Sequence, residues 1–478
     1  MREEVLSCET AETRSQEKNS IAALMTALLT ACIAFQLNAS MLGPVLATIA
    51  RELQTDEVAV SLSQTVFFNS AAVFALFLPR FSDIAGRKKV LSWMLVIMTA
   101  GTVLAALAPN IGVLYVARAV QGISGAVVPM CMIMLRHEIS NVKTLAAMMA
   151  IVAAVNGGVA GIDAIAGGFL AAHYGFRSVF WCIAIAGVIS TVLILRFASE
   201  SRPSAGVRMD WPGVIFLAVS LSAMLIALGK AAESSRSSLI IASGLAVFSI
   251  LMFIGFWQVE KRKRHPLVST VYLRRRSTWG LLLTTVLTMT GIFAVVNGLV
   301  LFLAQNTEVG FGLGADMAAL VFLTPYALIG WLVGPLAGWL APSVGYKKLL
   351  WFGLFASLVS LAMMLFLGLE SLGWMVAAVL LIGISYAGIV NIMLNGLGVM
   401  LSPEDNPGFL PGMNSGAFHI GAGLSFVLLP TIQKITVEFG GSLMDGYFNG
   451  ILAGLGITML ALLVSFLIPR PIEAEVER

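Results

Sequence analysis

Fourteen apolar stretches, separated by short polar or glycine-bearing turns, run near 21–48, 59–79, 90–108, 112–134, 145–172, 178–197, 211–230, 238–257, 280–305, 316–341, 349–369, 373–400, 409–432 and 447–469. A helix needs about 20 apolar residues to cross a hydrocarbon core of about 30 Å, so each stretch predicts a transmembrane α-helix. The expected class is an all-α integral membrane protein. Composition agrees: 58% of residues are hydrophobic, 11% are charged and the mean hydropathy is +0.93, against roughly 25% charged in soluble domains.

Lysine and arginine set the orientation. Of 29, 23 fall on the side that holds the N-terminus, five fall opposite (Arg51, Arg177, Lys230, Arg236 and Lys434), and Arg118 lies within a span. The positive-inside rule therefore predicts a multi-pass protein of the cell (inner or plasma) membrane with both termini cytoplasmic. The first 18 residues mix acids and bases without a cleavage signal and read as a cytoplasmic tail. The net charge of +4 calls for no nucleic-acid partner. Its densest basic stretch, residues 261–265 with 274–276, reads as a topology anchor facing anionic lipid. Cys32, Cys131 and Cys182 sit in apolar runs and read as small buried hydrophobes.

One charged turn occurs twice. Gly86-Arg87-Lys88-Lys89 is echoed by Gly345-Tyr346-Lys347-Lys348, 259 residues later and again between two apolar runs. Six spans precede the pair at 211–257 and six follow it, which predicts a duplicated bundle interrupted by an insertion, 6+2+6. The expected organisation is a tail at 1–20, an N-terminal six-helix bundle at 21–197, a two-helix insertion with basic loops at 198–279, a C-terminal six-helix bundle at 280–469 and a tail at 470–478.

The Asp83-x-x-Gly86-Arg87-Lys88-Lys89 turn resembles the signature loop of the major facilitator superfamily. Arg118-Ala-Val-Gln121-Gly122-Ile-Ser-Gly125 is similar to that superfamily's fourth-span motif. Arg208-Met-Asp210-Trp-Pro-Gly213 and His265-Pro266-Leu267 resemble the fourteen-helix drug:proton antiporters. The resemblance implies a major facilitator fold, proton-coupled efflux and a latch in which Asp83, Gly86, Arg87 and Lys88 hold the two halves together in the outward-open state. The sequence departs from that family at three places. Asn38 stands where its first span carries an aspartate, Asp163-Ala-Ile-Ala-Gly167-Gly168 stands where its fifth span carries Gly-Pro-x-x-Gly-Gly, and Pro79 stands where the hinge motif opens with glycine.

Asp163 is the one carboxylate deep in a predicted span, and an uncompensated charge there costs at least ~2.5 kcal/mol. Helix arithmetic puts it about 12 Å and Arg118 about 9 Å from the outer membrane face. The two are expected to pair in one state and part in another, with Asp163 then protonated. A permanent structural ion pair is the plainer alternative. His419, near the midplane, is a second candidate proton site, with a neutral helix-bonding histidine as its alternative. Gln36, Asn38, Asn69, Gln121 and Asn156 in the first half, and Asn297, Tyr326, Tyr386, Asn391, Asn395 and Asn414 in the second, are candidates for a polar, uncharged substrate cavity. Each could equally bond one helix to another.

No nucleotide loop, metal-ligand cluster or nucleophile triad occurs in the sequence. The expectation is a non-enzyme with no cofactor or metal, driven by a proton gradient, acting as a monomer on a small-molecule substrate within the lipid bilayer. Export of small amphipathic compounds, as in multidrug efflux and drug resistance, is the first reading. A dedicated metabolite exporter or a proton symporter that imports is the first alternative, and a lipid flippase or a non-transporting sensor the second.

Overall fold

A computed structural model describes residues 2–139, 142–201, 209–231, 236–263, 268, 270–403 and 408–469. Arg208 and the 265–267 motif lie outside the described residues. Among those residues every regular element is helical. Thirteen helices are long and apolar enough to cross a membrane: α1 (Ile21–Glu52), α2 (Glu57–Ala85), α3 (Arg87–Ala106), α4 (Ile111–Glu138), α6 (Phe176–Phe197), α7 (Trp211–Ala231), α8 (Ser237–Arg262), α9 (Arg276–Gln305), α10 (Ala315–Val344), α11 (Tyr346–Gly368), α12 (Leu372–Met400), α13 (Phe409–Glu438) and α14 (Leu443–Ser465). The 33-residue α5 (Val142–Tyr174) lies between α4 and α6. It falls on the fifth predicted span, and the count of fourteen rests on it.

Local chemistry explains the helix ends. Asp56 caps α2 by accepting from the Ala59 amide at 2.7 Å, Asn110 caps α4 through the Val113 amide at 3.0 Å, and Ser442 and Asp445 form a reciprocal capping box on α14. The repeated charged turn has a backbone cause. Gly86 and Gly345 both adopt a left-handed φ, +98° and +102°, which lets α2 fold directly into α3 and α10 into α11. The two-fold repeat read from charge is thus a repeat of the same left-handed hairpin.

Several spans depart from regular α-helix. Pro44 breaks α1 into a 3-10 turn at Gly43–Val45, and α4 tightens into 3-10 geometry at Gly122–Ala126. Single π segments interrupt α9 (Val295–Leu299), α10 (Ala319–Leu323), α11 (Met364–Gly368) and α12 (Gly383–Val390), a feature often found at functional sites. The halves meet along α2 against α13 and α5 against α10. The inserted pair α7–α8 packs on itself and lays α7 over the α2/α13 seam, where Trp211 meets Phe77 and Phe81.

Gly122 and Gly125 let α4 lie directly on α2. A Cβ on Gly125 would come 2.6–2.7 Å from Ala71, backbone included, a separation no relaxation of a side chain alone relieves. Gly125→Val should lower the thermal stability of the detergent-purified protein by about 1–3 kcal/mol, the usual cost of overpacking. Gly412→Val, at an exposed helical glycine with nothing within 4 Å of its Cβ position, should leave it unchanged.

Candidate functional site

Arg118 is the largest fully buried side chain among the described residues. Its Nη1 donates to the carbonyl of Asn38 at 3.3 Å, to Asn38 Oδ1 at 3.2 Å and to Gln121 Oε1 at 2.8 Å, and its Nη2 donates to Gln64 Oε1 at 2.5 Å. The guanidinium also lies 4.0 Å from the centre of the Phe67 ring. Thr102 on α3 completes the knot by accepting from Gln121 Nε2 at 2.9 Å and Asn38 Nδ2 at 3.4 Å. A buried cation is expensive unless its donors are satisfied. Here amide oxygens and an aromatic face do that work for the two Nη groups in place of a carboxylate, while Nε has no hydrogen-bond partner among the described residues.

Asp163 is also buried, with only 2% of its surface exposed, but it belongs to a different network. The Ser40 hydroxyl donates to its Oδ2, and Gln36 Nε2 donates to Ser40 Oγ at 2.9 Å. Its Oδ1 has no well-formed hydrogen bond among the described residues. The expected Asp163–Arg118 pair is therefore not made in this structure, and α1 is the reason. Asn38, which holds Arg118, and Ser40, which holds Asp163, are two residues apart, about 200° around the helix. The cation and the acid lie at similar depth on opposite faces of α1.

The predicted cavity residues divide among separate networks. Asn38 and Gln121 serve the Arg118 knot, and Gln36 serves Asp163. Asn414 Nδ2 donates to Asn395 Oδ1 at 3.2 Å, Asn395 Nδ2 to Asn391 Oδ1 at 3.1 Å, and Thr285 Oγ1 to Asn414 Oδ1 at 2.6 Å, a chain that ties α12, α13 and α9 together. Asn297 Nδ2 bonds the Phe293 carbonyl at 3.0 Å within the π segment of α9. The Tyr386 hydroxyl meets the Met289 sulfur, and Tyr326 backs onto Gly383 of α12. Asn69 is buried at the α2/α13 seam near Gly423. The side chain of Asn156 lies outside the described residues. His419 is buried among aromatic rings from both halves, with no well-formed hydrogen bond to Nδ1 among the described residues.

Sequence reading missed a polar clamp between the halves. On the membrane face holding Asp56, Lys434 Nζ donates to Asp56 Oδ2 at 2.8 Å. Beside this pair, Glu57 accepts from Gln433 Nε2 at 3.0 Å and from the Tyr447 hydroxyl at 3.0 Å, and Gln305 Nε2 reaches the Pro44 carbonyl at 3.0 Å. Asp56 and Glu57 look like ordinary loop charges in the sequence, because the signal lies in partners some 380 residues away. Burial pushes the Asp56 carboxyl up, but the Lys434 ammonium and the Ala59 amide outweigh it and hold it below the ordinary carboxylate range.

At the opposite face Asp83 Oδ1 accepts from Arg87 Nη2 at 3.0 Å within its own hairpin. Glu200 accepts from the Lys88 and Lys89 amides at 3.1 and 3.0 Å, and Ser201 Oγ from the Arg87 amide at 3.1 Å, so the chain after α6 caps α3. Gly86 sits against the Glu200 carboxylate. The latch residues thus brace the N-terminal bundle here, with the other membrane face clamped.

The family model for the Major Facilitator Superfamily matches residues 28–426. The chain belongs to the major facilitator superfamily. This facilitator is 47% identical over 461 residues to the uridine/deoxyuridine transporter of Lactococcus lactis subsp. cremoris (strain MG1363), covering 95% of this chain and 96% of that one. It is 25% identical over 390 residues to the multidrug resistance protein Stp of Mycobacterium tuberculosis (strain ATCC 25618 / H37Rv), covering 80% and 68%. Among solved structures it resembles a POT family transporter in complex with 5-aminolevulinic acid (TM-score 0.69, 13% identity, 93% of this chain and 96% of that one). It also resembles the nucleoside transporter NupG (TM-score 0.63, 10% identity, 93% and 99%). At these identities the solved structures speak for the fold alone.

The magnitudes in the clamp differ. Asp56 and Lys434 are partly exposed, and such a pair contributes about 0–1 kcal/mol, whereas Glu57 holds buried donors from two helices of the other half. In a background without native cysteines, a Val60→Cys probe, fully buried one turn inside Glu57, should react with a membrane-impermeant maleimide several-fold faster when Glu57→Ala is added. Lys434→Ala should change the rate by no more than about twofold. Because the folded Asp56 carboxyl titrates below its ordinary value of about 3.9, the pair is complete above that pH and is lost only as pH falls through the lower folded value. The ratio of labelling rates in Lys434→Ala and in the unmodified clamp, which cancels the pH dependence of the probe thiolate, should therefore be flat between pH about 5 and 8.

Proposed function

We propose that this protein imports pyrimidine nucleosides, coupled to protons, by alternating access between its two six-helix bundles. The observation that carries this reading is the 47% identity to a uridine/deoxyuridine transporter along 95% of the chain. The multidrug resistance relatives, by contrast, stand at 25–27% identity over 54–80% of the chain. The symport alternative is the better supported of the two, and the drug:proton antiporter label gives way to it. The two departures in the first and fifth spans fit this outcome, since they remove the features on which the antiporter label depended.

The charge distribution supports a plasma-membrane orientation with both termini cytoplasmic, fourteen spans and the Asp56/Lys434 clamp outside. In that orientation the clamp holds the two halves together at the outer face. Asp163 is the proposed proton carrier. It is buried, and its Oδ1 has no well-formed hydrogen bond among the described residues, so a proton or a substrate hydroxyl would satisfy it. Arg118, held by amides of α1, α2 and α4, ties these helices together within the N-terminal bundle. A monomer would suffice, since both halves of the site lie in one chain, and a proton gradient takes the place of a cofactor.

In right-side-out vesicles with an imposed inward proton gradient, radiolabelled uridine should accumulate, and a protonophore should abolish the accumulation. Asp163→Asn should reduce accumulation at least about tenfold while sparing exchange of internal for external uridine, because exchange needs no net proton movement. Wild-type vesicles that extrude ethidium and fail to accumulate uridine would return the reading to drug efflux.

A further inference from the structure

Six rings gather where the halves meet. His419 lies 6.4 Å from Phe35 of α1 (edge-on, 82°), 6.2 Å from Phe68 of α2 (28°) and 5.7 Å from Phe418 (84°). Phe68 is 5.4 Å from Phe293 of α9, edge-on, and 6.2 Å from Phe426 at 8°. Phe35 and Phe68 belong to the N-terminal half and the other four rings to the C-terminal half. The histidine is 5% exposed, and among the described residues its Nδ1 makes no well-formed hydrogen bond, with only the Ser415 backbone one turn back beside the ring.

We propose that this cluster is the nucleobase subsite, in which Phe68, released from its edge-on contact with Phe293 when the seam opens, takes the face of a uracil ring and His419 reads its edge. The assignment rests on the nucleoside reading above and deepens it. A histidine that served only as core would be expected to satisfy its ring nitrogen, because an orphaned buried polar atom is costly. This one persists at a seam between two bundles. Aromatic faces accept any base, since every base has a π face, so selection among bases falls to the single polar atom. Uracil presents N3–H as a donor and O4 as an acceptor, and cytosine reverses both. For a base held in one register, a His419 nitrogen aligned with N3 or with the C4 substituent suits uracil in one tautomer and cytosine in the other, so the tautomer the site fixes sets the preference.

A base held by rings from both halves would be bound best when the seam is closed around it, which links recognition to the transport cycle.

The test is uptake of labelled uridine competed by unlabelled uridine or cytidine, for wild type, His419→Phe, His419→Asn and Phe68→Leu, each checked for a monodisperse profile. Wild type should favour uridine over cytidine by at least about tenfold, as a site built around a hydrogen bond does. His419→Phe, which keeps an aromatic ring, should raise the uridine KM about tenfold and bring the ratio near unity. His419→Asn, whose amide can reach the position of Nδ1, should recover part of the discrimination. Phe68→Leu should weaken both nucleosides alike. Robust uridine uptake with KM and base ratio unchanged within about twofold in His419→Phe would overturn the subsite and leave the nucleoside reading standing, whereas no nucleoside uptake by wild type would overturn both.

Discussion

The polar organisation of this transporter depends on the position of α1 between a buried cation and a buried acid. Asn38 turns toward Arg118 and Ser40 toward Asp163, and their two-residue spacing keeps those charges on opposite sides of one helix. An Arg–Asp contact would neutralise both groups and lock α4 to α5. Separation leaves Arg118 to be held by amides and Phe67 within its own bundle, and leaves Asp163 with an oxygen that has no well-formed hydrogen bond among the described residues. Pro44 then breaks α1 just past this point, so the helix that carries both contacts is bent where the acid binds. One half of the arrangement is tied within its own bundle and the other is available for exchange.

That division fits the way the halves meet. The Asp56/Lys434 face is joined by charge, by the buried carboxylate of Glu57 and by the approach of Gln305 to Pro44. At the other face the signature hairpin is braced by Glu200 from its own bundle. Polar bonds of this kind can be exchanged for water or for one another, unlike a continuous apolar interface, so one face can open while the other closes. The aromatic cluster around His419 lies on the same seam, and a ligand held there would be read by both bundles at once.

Much of this was legible in the sequence because bilayers impose simple rules. Apolar run length gave the spans, and the Gly86 and Gly345 turns gave the repeat that the left-handed hairpins display. Depth was legible too, since 1.5 Å per residue places Asp163 and Arg118 at matching heights. Azimuth was not. A sequence does not say which face of α1 each neighbour occupies, so depth alone suggested a pair that the structure separates. The amides suffered the same ambiguity: Asn38 and Gln121 turned inward to the Arg118 knot, while Asn391, Asn395 and Asn414 bonded helix to helix. Glu57 escaped notice because its partners, Gln433 and Tyr447, belong to the far end of the chain.

The central claim is that Asp163 gains and loses a proton on its own face of α1, independently of Arg118. Infrared difference spectroscopy of the protein reconstituted in lipid, recorded on adding uridine, reads that proton directly through the C=O stretch of a protonated carboxyl. A carboxyl band that changes on uridine addition in wild type and disappears in Asp163→Asn is the predicted result. A band that survives in Asp163→Asn, or a wild-type spectrum without any carboxyl change under uridine, would contradict the account.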